Sequence, residues 1–85
     1  MIDSTLVAEV AAIVRQSAKV PAQIGIAAES RLVEDLGIDS LDLVGVLLAV
    51  QDHFDIVIDD EVVPSLSRVV DLAEAVARER GLAAA

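Results

Sequence analysis

Cysteine, tryptophan and tyrosine are absent from the 85 residues, and phenylalanine occurs once. Without cysteine there is no disulfide framework, no thiolate metal site and no cysteine nucleophile, so stability must come from packing. Without large planar rings the interior has to be built from Ala, Val, Leu and Ile, which pack closely and leave the core pliable. Basic residues are also scarce: six Lys and Arg against fifteen Asp and Glu give a formal net charge of -9. Such a chain does not attract nucleic acid or anionic lipid, and its partners are expected to be basic. No segment reaches the roughly 18 apolar residues that a membrane helix needs, and the N-terminus lacks a basic region followed by an apolar stretch. A soluble, cytoplasmic monomer, one domain over residues 1–85, is the expectation.

The apolar residues that are present fall on helical periods. Residues 3 to about 18 read as a first helix, capped by Asp3 or Ser4, with Leu6, Val10, Ile13 and Val14 toward the core. Lys19 to Arg31 reads as a long loop, because Pro21 disfavours helix at Val20 and Gly25 permits a turn, with Ile24, Ile26 and Leu32 as its anchors. A second helix is predicted over Ser40 to Phe54, and Asp55 to Ile58 as a link. A single helical turn over Asp59 to Val63 is capped by Asp59 and stopped by Pro64. Ser67 caps a last helix, Arg68 to Arg80, which Gly81 ends, with Arg78 and Arg80 at the negative end of its dipole. All-α is therefore the predicted fold class.

The stretch from Leu36 to Phe54, LGIDSLDLVGVLLAVQDHF, organises the rest. Gly37 and Asp39 deliver Ser40 to the start of a long helix, where Asp39 or Ser40 can accept a first-turn amide and Asp42 suits the positive end of the dipole. The second helix is apolar on two faces. Val46, Leu47, Val50 and Phe54 form a ridge for the core, while Leu41, Val44 and Leu48 form a second stripe at i, i+3, i+7. Either the later helices cover that stripe or it docks a partner. Acidic residues gather around Ser40 in sequence: Glu29 to Glu61 holds ten Asp and Glu with Arg31 as its single Lys or Arg.

The run Glu34-Asp35-Leu36-Gly37-Ile38-Asp39-Ser40-Leu41-Asp42 resembles the signature of the acyl carrier proteins, and the likeness in length, acidity and helix order covers nearly the whole chain. It implies a four-helix acyl-carrier-type bundle with a long first loop and a short third helix. By the same resemblance Ser40 is the covalent attachment point of 4'-phosphopantetheine taken from coenzyme A, flanked by Asp39 and Leu41. A phosphopantetheinyl transferase loads it, and acyl-loading and acyl-processing enzymes with basic surfaces dock on Asp39, Leu41, Asp42, Val44, Leu48, Asp59, Asp60 and Glu61. Asp39 and Asp42 would also lie near a Mg²⁺ ion at the coenzyme A phosphates. The implied role is to hold acyl intermediates as thioesters in fatty acid or polyketide-type biosynthesis, without catalysis by the chain itself. Where this family commonly carries acidic residues on the second helix, Gly45 and Gln51 stand here, which removes charge from the implied docking face.

Rival chemistries fit the same residues less completely. Gly-x-Asp-Ser before an apolar run is by itself an ordinary loop and cap. A hydrolase lacks a base, since His53 is the only histidine and lies about 20 Å along the same helix; no nucleophile elbow surrounds Ser40. Asp52 to Glu61 misses the EF-hand pattern, so no metal site is expected. An aminoacyl or peptidyl carrier shares the resemblance and differs in cargo. An unmodified acidic interaction module, binding a basic partner through Leu41, Val44 and Leu48, shares only the surface.

Overall fold

The computed structural model describes residues 4–84, with side chains through Gly81. Helix α1 spans Ser4–Ser17, α2 spans Ser40–Phe54 and α3 spans Val69–Ala84. The core begins with Leu6, Val10 and Val14 of α1, all buried as the period requires, whereas Ile13 is half-buried at its edge. Val46, Leu47 and Val50 of α2 meet Val69, Leu72, Ala73 and Val76 of α3 in the same cluster. Phe54 lies half-buried against it, beneath the Arg80 guanidinium at 5.4 Å. Helix α1 packs on both other helices, and α2 and α3 share less with each other. No polar or charged side chain is buried among the described residues.

The long loop is tied down at both ends. Arg15 donates from Nη1 to Pro21 O (2.9 Å) and from Nη2 to Ile24 O (2.8 Å), so one guanidinium satisfies two carbonyls where the chain leaves α1. Further on, Leu32 N donates to Ser67 O, Val69 N to Ser30 O and Val70 N to Ala28 O, which seats the loop along the entry of α3. Arg31 and Arg68 form an isolated antiparallel bridge within that pairing. Leu32 is almost fully buried, and Ile24 and Ile26 are half-buried as the loop's anchors.

The expected count of four helices is corrected to three. In place of the short third helix, Asp59 to Val62 turns through i→i+3 bonds, and a 3-10 turn follows over Val63–Ser65. Pro64 does not stop this segment but sits inside it, because a ring that fixes φ and lacks an N–H suits the first turn of a helical segment, whose amides are unpaired anyway. The last helix begins at Val69. Its cap is the Asp71 carboxylate, which accepts from Ser67 N, Ser67 Oγ and Arg68 N, so Ser67 donates here instead of capping through its own oxygen. Nor does Gly81 end it: α3 runs on to Ala84, since glycine weakens a helix by only about 1 kcal/mol and stops one only when it takes a left-handed φ. Arg78 and Arg80 are consequently not in the last turn. The alternative cap Asp3 lies outside the described residues, as does Ala85.

Candidate functional site

Ser40 opens α2 at an exposed corner, and its position is set by the residues before it. Leu36 and Ile38 are both buried, 7% and 1% exposed, and the chain passes between them through Gly37 at φ 69°, a left-handed turn that costs glycine nothing. Main-chain bonds from Gly37 N to Val33 O and from Ile38 N to Leu32 O close that turn. Asp39 then caps the helix: its extended backbone breaks the helical run, and Oδ1 accepts from Asp42 N at 2.8 Å. Ser40 Oγ and the amides of Ser40 and Leu41 have no hydrogen-bond partner among the described residues. A free hydroxyl beside unpaired amides at the positive end of a helix dipole is an arrangement that accommodates a phosphodiester.

The loop before the serine carries an ion pair that the charge count alone does not reveal. Arg31 donates Nε to Asp35 Oδ2 (3.1 Å), Nη2 to Asp35 Oδ1 (3.0 Å) and Nη1 to Glu34 Oε2 (2.6 Å). Arg31 N also donates to Asp35 Oδ2 at 2.7 Å. The guanidinium, and after it the backbone N–H, hold the Asp35 carboxyl below the usual carboxylate range, and Asp35 in turn raises Arg31. The i, i+3, i+4 spacing of Arg31, Glu34 and Asp35 was the available signal for this cluster.

On α2 the second apolar stripe is uncovered. Leu41, Val44 and Leu48 are 83%, 55% and 63% exposed, whereas covering by the later elements would have buried them. Beside it lies a cleft of about 270 Å³ lined by Val44, Leu47, Leu48, Gln51, Ile58, Asp60 and Val63. The fold thus brings Asp60 to the stripe, with exposed Asp59 and Glu61 on the same turn. Asp59 Oδ1 accepts from Glu61 N, which shapes that turn. Gln51 is structural: Nε2 donates to Leu47 O (3.1 Å) and Oε1 accepts from Ile58 N (2.8 Å), stitching the link after α2 to the helix. Asp55 ends α2 in the left-handed region. Sequence reasoning assigned no role to the Gln51 bonds or to Val33, which is 60% exposed on the loop before Ser40.

His53 is exposed at the far end of α2, edge-on to Phe54 and 3.8 Å from Glu9 of α1. The chain's one imidazole thus lies at the opposite end of α2 from Ser40. Among the described residues no group of three or more His, Cys, Asp and Glu is arranged to hold a metal ion. None of their helices is long and apolar enough to cross a membrane.

The described residues thus form a three-helix domain that presents Ser40, without a hydrogen bond, at a helix start beside an exposed apolar stripe. The family model for the phosphopantetheine attachment site matches residues 5–76, and the chain belongs to this family of acyl-carrier-type, phosphopantetheine-bearing domains, which are carriers and not enzymes. It is similar to the acyl carrier protein of Akkermansia muciniphila, 36% identical over 56 residues, which is 66% of this chain and 70% of that protein. The acyl carrier proteins of Phytoplasma mali and Bdellovibrio bacteriovorus are 41% and 44% identical, each over 46 residues and 54% of this chain. Those matches span 55% and 59% of the relatives' own length.

Proposed function

We propose that this chain is an acyl carrier whose arm is attached at Ser40, with Asp39 and Leu41 flanking the junction. The observation that carries this reading is the exposed Ser40 hydroxyl, without a hydrogen bond, beside two unpaired first-turn amides. In the loading step Ser40 Oγ forms a bond to the pantetheine-side phosphorus of coenzyme A as the pyrophosphate linkage breaks. Adenosine 3',5'-bisphosphate leaves, and the hydroxyl proton passes to a base of the transferase. The amides of Ser40 and Leu41 would be the donors available to a phosphodiester held there, and Asp39 keeps the first turn wound through its bond from Asp42 N. When bound, the group supplies a terminal thiol that holds an acyl chain as a thioester. Tethering raises the effective concentration of that cargo for each docked enzyme.

The docking face in this reading is Leu41, Val44 and Leu48, rimmed by Asp39, Asp42 and the Asp59, Asp60 and Glu61 turn. Partners are a phosphopantetheinyl transferase and the loading and processing enzymes of fatty acid or polyketide-type synthesis, with residues 1–85 acting as one domain. Relatives named for acyl cargo favour an acyl over an aminoacyl carrier. The test is incubation with coenzyme A, Mg²⁺ and a broad-specificity transferase, read by mass spectrometry. One phosphopantetheinyl mass on Ser40 is expected, and none on Ser40→Ala. Modification that persists in Ser40→Ala would remove the assignment.

A further inference from the structure

Arg31 is the single Lys or Arg among ten acids from Glu29 to Glu61, and its side chain is spent on two of them. Its fork takes both oxygens of Asp35 and one of Glu34, at 2.6–3.1 Å. The loop does not depend on that fork. Asp35 N and Leu36 N donate to Arg31 O, Gly37 N to Val33 O and Ile38 N to Leu32 O. Arg31 N donates to Asp35 Oδ2, and Leu32, Leu36 and Ile38 are buried. All of these survive truncation of the Arg31 side chain, and an exposed ion pair contributes little to folding. What the guanidinium changes is the field. Glu34 and Asp35 lie six and five residues before Ser40, a span of at most about 20 Å even if the chain were extended. That is inside the screening length of about 30 Å at 0.01 M salt.

We propose that Arg31 sets the electrostatic selectivity of the serine end, masking Glu34 and Asp35 so that Asp39 and Asp42 are the charges a basic partner meets at Ser40. This rests on the reading of Ser40 as the modified serine. The partner chemistry is a protein surface rich in Lys and Arg, for which the one net negative charge that the guanidinium cancels would strengthen attraction if uncovered. A pair of unit charges about 10 Å apart in water changes an encounter by about twofold. A transferase presenting one or two such cations should therefore load an unmasked carrier about two- to fivefold faster at low salt.

The experiment measures kcat/KM for transfer from coenzyme A to the full chain by a transferase with a basic docking surface, at about 0.01 M and about 0.5 M ionic strength. Arg31→Gln should gain about two- to fivefold at low salt through KM, with kcat unchanged, and lose the gain at high salt. Arg31→Gln with Glu34→Gln restores the local charge and should return to the wild-type rate, and Arg31→Lys should stay near it. Melting curves check that every variant is folded. A slower or unchanged Arg31→Gln at low salt, a gain that survives high salt, or a double variant that keeps the gain would overturn the proposal. Wild type left unmodified by the same transferase would instead overturn the Ser40 reading, and this inference with it.

Discussion

Gly45 lies in the middle of α2, exposed, one residue beyond Val44 of the uncovered stripe. Glycine in a helix interior costs about 0.8–1 kcal/mol relative to alanine, because its unfolded chain has more conformations to lose. Close packing is the usual reason to keep one, and it does not operate here. A Cβ built at Gly45 meets nothing within 4 Å, and the residue is not among those with positive φ. Gly45→Ala should therefore recover nearly the whole amount. For a domain of this size about 1 kcal/mol shifts the melting temperature by about 4–8 °C. Far-UV circular dichroism melts of the two proteins at matched salt would read it. An unchanged or lower melting temperature would refute the reasoning and mean that Gly45 answers to a constraint that its surroundings do not contain.

Further outcomes follow at four named residues. Asp39→Ala should cost about 1 kcal/mol by removing the cap on Asp42 N, whereas Asp39→Asn keeps the acceptor and should leave the melting temperature near wild type. If only the charge matters to the transferase, both variants load more slowly at low salt. Burial pushes the Asp71 carboxyl up, but hydrogen bonds from Arg68 N and from Ser67 N and Oγ outweigh it and leave the group below its usual value. A depressed folded value means stability that is present above the unfolded carboxylate range and lost as pH falls through the folded one. Acid melts of Asp71→Asn should accordingly decline less steeply than those of wild type, and an identical slope would contradict this. Gly45→Glu should speed loading by a general fatty-acid acyltransferase in a salt-sensitive way, while Gln51→Glu keeps the acceptor for Ile58 N, loses the donor to Leu47 O, and should melt lower.

Helix α2 was legible in the sequence, at about Ser40 to Phe54, because its signals are local. A left-handed glycine, a capping Asp and an unbroken apolar period act within a few residues of where they stand. The same locality places Ser40 at the start of that helix, and makes Leu6, Val10 and Val14 identifiable as core from their spacing. The segments that departed from expectation are those whose local signals were weak or competing. Pro64 marks either a stop or a first turn, and Gly81 either a cap or a tolerated interior residue. At Ser67 to Asp71, a serine and a carboxylate at cap spacing compete for the same amides, and the geometry of the α3 entry selected the carboxylate.

Composition and periodicity determined that the chain is all-helical, acidic, aliphatic in its core and supplied with two apolar faces on one helix. Only the tertiary structure decided which of those faces is free. A period of 3.6 places Leu41, Val44 and Leu48 on one stripe but carries no information about what lies above it. That depends on α1 and α3 packing against the Val46 and Val50 side and on the turn at Asp59 to Ser65 reaching only the stripe's edge. The role of Arg31 belongs with these decisions: in sequence it is one base among ten acids, and folding turned it onto two particular carboxylates. Short-range backbone preferences are written into neighbouring residues, whereas exposure and charge pairing are set by elements distant in the chain.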